Sequence, residues 1–259
     1  MTSRRLIINW RDPHSRRILP VAELVASGEP ASPGYEFGYV EGVRRALELG
    51  FQPFLAFPRL DRRYSGTELF PFFRNRILSS TRPDYTDYVE ALGLEVQTAT
   101  EVELLGRSEG RRRTDRVETV LAGERDPATG RYVVRFPVRG VRHVPGAEAV
   151  IAGLRPEQTL ASAIEATNPY NRGARRLYRG DEPIGYVADY LLDDLDALEA
   201  AASRPTFTVE RINPPPHPVH HRVLVRLEAD WPEGFESLDA PSFRPYRESD
   251  EPSLRSLGS

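Results

Sequence analysis

The stretch that decides the reading of this chain is Ala166-Thr-Asn-Pro-Tyr-Asn171, with Gly185-Tyr-Val-Ala-Asp-Tyr190 following fourteen residues later. Asn168, Pro169 and Asn171 are turn residues. Asn accepts backbone hydrogen bonds locally, and Pro presets φ. The turn leads into Ala174–Tyr178, and Gly180-Asp-Glu-Pro183 returns the chain through Ile184-Gly185-Tyr186-Val187. The pattern predicts hairpins whose turn presents two amides and a phenol. Tyr190 to Ala202 then places Leu191, Leu192, Leu195 and Leu198 on one stripe, which predicts an amphipathic helix closing the unit.

Working outward, composition limits the chemistry. All 35 basic residues are arginine and there is no cysteine. A phosphate-binding loop needs its lysine, a Schiff base needs a titratable amine, and thiolate chemistry and cysteine-ligated zinc need a thiol. The expectation is a non-catalytic protein without cofactor or metal. Net charge of −3 gives no global basic field, but Arg172, Arg175, Arg176 and Arg179 cluster on the hairpin. Asp189, Asp193, Asp194, Asp196 and Glu199 crowd the helix after it. No apolar run approaches the length of a membrane span, and no charged-then-apolar leader is visible. A soluble, cytoplasmic protein is expected, with no membrane partner.

The fold class expected is α+β. Strands are predicted at Leu6–Trp10, Arg16–Leu24, Tyr35–Tyr39 and Pro53–Phe57, with a surface loop over residues 26–34. Helices are predicted at Gly42–Leu49, Thr67–Leu78, Asp84–Leu92 and Thr100–Leu105. Together these make an N-terminal mixed sheet with a small helical block. The Asp126–Gly130 turn marks a boundary near residues 122–130, which divides the chain into residues 1–125 and 131–235. In the second part Arg131–Val138, Phe207–Ile212 and Arg222–Ala229 alternate as strands. With the hairpin and one helix they read as a small open barrel or SH3-like sheet. After Trp231 the chain packs partly through Phe235, Phe243 and Tyr246; residues 236–259 read as an extended Pro-, Ser- and charge-rich tail, disordered from about Glu248.

Three motifs invite chemistry and are outweighed by their context. Gly106-Arg-Ser-Glu-Gly110 matches a hydrolase nucleophile pattern, but a helix precedes it where a strand is needed. His217, His220 and His221 lie close together in a proline-bounded loop without a paired carboxylate, a poor metal site; a metal-dependent hydrolase is the third reading, carried by these histidines alone. Arg111, Arg112, Arg113 and Arg116 form the densest basic run and read as phosphate contacts, a solvated loop or an interdomain ion-pair set.

The Asn168–Asn171 turn, the Gly185-Tyr186 strand and the helix after it resemble the HIRAN domain, a small β-rich module of DNA-repair helicases and many bacterial proteins. The resemblance implies a pocket for the 3′ end of single-stranded DNA. Gly140-Val-Arg-His143 matches the family's Gly-x-Arg-aromatic strand, so Arg142 is expected to grip phosphate and His143 to stack on a base. By the same resemblance Tyr170 lines the pocket, Asn168 and Asn171 hydrogen-bond the terminal sugar, and Tyr186 stands on the facing strand; Arg172 joins them from the basic hairpin. Asn171 stands where the family has Asp, and Asp189 where it has a basic residue. Separately, Phe54-Leu-Ala-Phe-Pro58 and Leu69-Phe-Pro-Phe-Phe-Arg-Asn75 resemble the first N-terminal subdomain of HipA-type toxin kinases, whose kinase core is missing here. That resemblance implies a docking module for a protein partner. The expectation is a binder of single-stranded DNA or DNA ends; the alternative is a protein-interaction subunit of a bacterial defence or DNA-processing complex with a degenerate pocket.

Overall fold

Leu6-Ile7-Ile8 is an unbroken apolar run, and a strand carrying one has to be covered on both faces. A computed structural model, describing residues 3–29, 32–112 and 114–248, meets that requirement. Strand β1 (Arg4–Arg11) lies second from one edge of a five-stranded antiparallel sheet with β2 (Ile18–Glu29), β3 (Ser32–Tyr39), β4 (Tyr64–Gly66) and β5 (Val117–Leu121), in the order β4-β3-β2-β1-β5. Leu6 and Ile8 face a core rich in aromatic residues, with Phe37, Phe54, Phe57 and Phe73. Ile7 and Val120 face the other way, onto Leu238 and Phe243 of the C-terminal segment. Short helices α1 (Val43–Glu48), α2 (Pro71–Arg74), α3 (Tyr85–Ala91) and α4 (Glu101–Arg107) complete this lobe.

The second lobe is a seven-stranded sheet of β6 (Glu124–Arg125), β7 (Tyr132–Pro137), β8 (Thr159–Ile164), β9 (Arg175–Arg179), β10 (Glu182–Tyr186), β11 (Thr206–Ile212) and β12 (Val223–Ala229). Its order is β10-β9-β8-β11-β12-β7-β6. One face packs against α5 (Ala147–Ala152) and α6 (Leu192–Ala200), with Leu177, Ile184, Leu195, Val209 and Val225 in the core. An isolated bridge, Arg139↔Tyr186, brings the continuation of β7 onto the edge strand β10. The α+β class stands, and the sheet is curled but not closed into a barrel by a ladder. Among the described residues no helix is long and apolar enough to cross a membrane.

Several expectations change. Residues 26–29 and 32–34 of the expected loop are strand: Ala26↔Tyr35, Ser27↔Gly34 and Gly28↔Pro33 extend the β2–β3 ladder. Pro53–Phe57 is a turn, not a strand. Prolines 53 and 58 carry no N–H for a ladder, and the buried hydroxyl of Tyr39 takes over, accepting from Phe54 N at 2.8 Å and donating to Phe57 O at 2.7 Å. The long helix expected over 67–78 shrinks to Pro71–Arg74. The Asp126–Gly130 turn joins β6 to β7 inside the second sheet, so the chain passes between sheets at Ala122-Gly123.

The tail is a strap up to Tyr246. Arg5 donates to Leu238 O at 3.0 Å and Phe243 O at 2.6 Å, and Tyr246 N donates to Tyr39 O at 2.9 Å. Buried Asp194 of α6 receives Ser237 Oγ at 2.5 Å, Leu238 N at 2.7 Å and Tyr132 Oη at 2.9 Å. A carboxylate with three donors is satisfied where an unpartnered one would be costly. The expected disorder beyond Glu248 falls on residues 249–259, which lie outside the described residues.

Candidate nucleic-acid interface

The decisive stretch folds as the ten-residue connection between β8 and β9, whose ends pair as Ile164↔Arg175. Its shape comes from its own side chains. Asn168 Oδ1 accepts from Tyr170 N at 3.0 Å and Asn171 N at 3.1 Å, while Asn168 Nδ2 donates to Glu165 Oε2 at 2.9 Å. Asn171 Oδ1 accepts from Gly173 N at 2.9 Å. Both amides expected to meet a sugar are therefore engaged in building the turn. Tyr170, preset by Pro169, is 87% exposed. With Ala166, Thr167, Asn168, Pro169 and Arg172 it lines a shallow concavity of about 410 Å³. A second hollow of equal volume lies beside Gly153, Arg155 and Arg179, so size does not single out the first.

Glu165, which sequence reading passed over, is the anchor of this turn. Its carboxylate accepts from Asn168 and from Tyr186 Oη at 2.8 Å, and forms an ion pair with Arg176 Nη2 at 2.7 Å. The Asn168 hydrogen bond, then the Tyr186 phenol and Arg176, hold the carboxyl below its ordinary range against the cost of desolvation. The phenol of Tyr186 is pushed up, first by desolvation and then by Glu165. It receives Arg176 Nη2 at 2.6 Å, so this hydroxyl is structural rather than offered to a ligand.

Gly140-Val-Arg-His143 is not a strand. Gly140 has φ +67°, and His143 N donates to Gly140 O at 2.8 Å, closing a single 3-10 turn over Val141–His143. A β-carbon at Gly140 would lie 2.8 Å from the ring of Tyr186, so glycine is required twice over, by conformation and by space. Paired bonds Arg139 N to Tyr186 O (2.9 Å) and Tyr186 N to Arg139 O (2.8 Å) fix this turn beside β10. Tyr186 is thus the post on which both turns hang. Arg142 and His143 are exposed, with Arg142 Nε 3.1 Å from His143 Nε2. Neither Arg142 nor Arg172 has a carboxylate partner among the described residues.

The arginines of the hairpin do not act together. Alternation along β9 sends Arg175 to the inner face, buried, with Glu199 at 2.5 Å and Asp196 at 2.8 Å. The acidic helix is therefore partly the counter-charge of the hairpin. On the outer face Arg135 and Arg226 pair with Glu210 and Glu228. Arg111 belongs to a seam between the lobes, with Glu109 at 2.9 Å and Glu118 at 2.5 Å. Arg139 joins from the second lobe, donating to Glu109 at 3.0 Å, and Arg11 stands 3.9 Å from Glu118. Burial raises the Glu109 carboxyl. Burial acts on Glu118 too, but Arg139, Arg111 and Arg11 prevail and lower it. Arg112 donates to Asn75 O, and Arg113 lies outside the described residues. Gly106 and Arg107 end α4, so the Gly-x-Ser-x-Gly stretch follows a helix. Among the described residues no group of three His, Cys, Asp or Glu is placed to hold a metal.

No family model and no curated protein matches the chain. Solved structures similar to it include a structural-genomics target from Lactobacillus plantarum, at 20% identity and TM-score 0.31, covering 39% of this chain and 97% of that one. They also include the HIRAN domain of human HLTF, at 15% identity and TM-score 0.27, covering 38% of this chain and 72% of that one.

Proposed function

We propose that the chain is a non-catalytic binder of single-stranded DNA, which it takes at a strand end between the β8–β9 turn and the 140–143 turn. The observation that carries the reading is Tyr170, a large aromatic side chain 87% exposed on a turn braced by its own amides. Nothing in the packing of the protein explains it, and a base has a flat face to offer. Arg142 and Arg172 supply guanidinium groups for phosphate, and His143 a second ring. Asn168 and Asn171 shape the pocket from behind. The absence of lysine and cysteine supports the non-catalytic part, and the first lobe, with Leu55 99% exposed on the 53–58 turn, serves as the docking side for a protein partner. Titration of fluorescent oligonucleotides bearing 3′-hydroxyl or 3′-phosphate ends, at several salt concentrations, tests the reading. Binding that weakens with salt and depends on Tyr170 is expected; no binding at low salt overturns it.

A second reading, a protein-interaction subunit with a degenerate pocket, is favoured by one observation. The outward arginines of β7, β9 and β12 are matched by glutamates, so the sheet face carries no broad cationic track. Binding of a protein partner lost on Leu55→Asp but retained by Tyr170→Ala would support it.

A further inference from the structure

Asn213 pins the histidine-bearing loop between the lobes. Its Nδ2 donates to Ala91 O of the first lobe at 2.8 Å and to His221 O at 2.7 Å. The short 3-10 turn that follows the prolines, Val219–His221, then packs against the Val141–His143 turn. The contact brings the two turns together, and Arg142, His143 and His220 are exposed on them. His220 leans edge-on against His221, ring centroids 4.3 Å apart.

The charges around this edge can be counted. In the seam below, Arg11, Arg111 and Arg139 face Glu109 and Glu118. Glu148, on the helix after the 140–143 turn, reaches Arg222 at 3.6 Å. Arg111, Arg139 and Arg142 are cations that act on His220. Desolvation, then these three guanidinium groups, hold its imidazole below the ordinary histidine range, so the free protein resists protonating it. His221 is pushed down further, to about 3, and stays neutral.

We infer that His220 is a proton-dependent phosphate contact, extending the binding surface from the 140–143 turn toward the seam with the first lobe. A phosphodiester lying across Arg142 reverses the local field. The imidazole then gains a proton and becomes one more cation on the strand, so affinity rises as pH falls through the histidine range. The inference rests on the reading that the chain binds single-stranded nucleic acid.

The test uses the full chain, wild type and His220→Gln, with a short oligothymidylate at about pH 8 and about pH 5.5 over a range of salt. Unfolding midpoints of both proteins at each pH serve as the folding control. At the higher pH the two should bind alike. At the lower pH the wild type should gain about fivefold more than the variant, and its log K against log salt slope should steepen by about 0.7 more, one single-strand phosphate. Equal pH gains in the two proteins, or no gain in either, overturn the inference while leaving the nucleic-acid reading intact. If oligothymidylate does not bind at either pH, that reading fails first, and inorganic polyphosphate becomes the probe. Acid-enhanced binding of polyphosphate that is lost in His220→Gln sustains the phosphate contact; its absence overturns it.

Discussion

In the first lobe aromatic rings explain one another. Phe37 stacks on Phe57 with centroids 3.8 Å apart and meets Tyr39 edge-on at 5.3 Å, and the Tyr39 hydroxyl is bonded on both sides. In the second lobe Tyr186 is likewise accounted for, its ring against Gly140 and its hydroxyl between Glu165 and Arg176. Tyr170 is the contrast. It sits a few residues from Glu165 yet is 87% exposed and contributes little buried area. Where packing and hydrogen bonding exhaust what a side chain does, it needs no ligand; the residue they leave over is the one to test.

The two aromatic environments should differ most in stability. Phe37→Ala removes a fully buried ring and should cost about 3–5 kcal/mol in urea unfolding. Tyr170→Ala should stay within about 0.5 kcal/mol of wild type. A large loss from Tyr170→Ala would mean that the tyrosine packs after all.

The seam between lobes comes next. Arg139→Ala leaves buried Glu109 and Glu118 facing a missing cation and should cost about 3 kcal/mol. An isolated second lobe, residues 131–235, would meet the same deficit in reverse, with Arg139 lacking Glu109 and Glu118, and would also lose Ser237 and Leu238 from Asp194. It is expected to unfold without the cooperativity of the full chain, and a sharp transition at unchanged denaturant would contradict that.

A pH-dependent effect follows from His221, whose Nε2 is buried without a partner among the described residues. Burial and the neighbouring cations lower its pKa to about 3. Between that value and the ordinary histidine range the unfolded chain binds the proton and the folded chain does not. Stability therefore falls with decreasing pH across this window, by at most about 1.4 kcal/mol per unit. His221→Asn should flatten the acid limb of the unfolding free energy, and an unchanged limb would place the titrating group elsewhere.

Smallest is Glu165→Gln. The amide oxygen can still accept from Asn168 and Tyr186, which share one carboxylate oxygen, but the charge facing Arg176 is lost, at a cost of about 1 kcal/mol. Hydrogen exchange should quicken at the Tyr170 and Asn171 amides, which Asn168 holds. Unchanged exchange would show that the turn stands without its anchor.

The parts of this protein legible in its sequence are those with local causes. Asn168, Pro169 and Asn171 specify their turn within a few residues, and β11 and β12 alternate apolar and polar side chains clearly. Thr159–Ile164 escaped notice because alanine and serine dilute the alternation, and Ala147–Ala152 is too short to show a helical period. Gly140 misled in the opposite sense, since a glycine before Val-Arg-His fits a strand pattern until Tyr186 is known to lie beneath it. The anchor Glu165–Tyr186 and the pair Glu109–Arg139 join residues 21 and 30 positions apart, and no periodicity records such meetings.

If Tyr170 is left outside for a ligand, oligonucleotide affinity of Tyr170→Ala against wild type, in proteins of matched unfolding midpoint, shows it. Stacking on one base is worth about 1–3 kcal/mol, so affinity should fall about fivefold or more, by similar factors for different base compositions. Equal affinity in a folded variant would contradict the account and move the interface away from the β8–β9 turn.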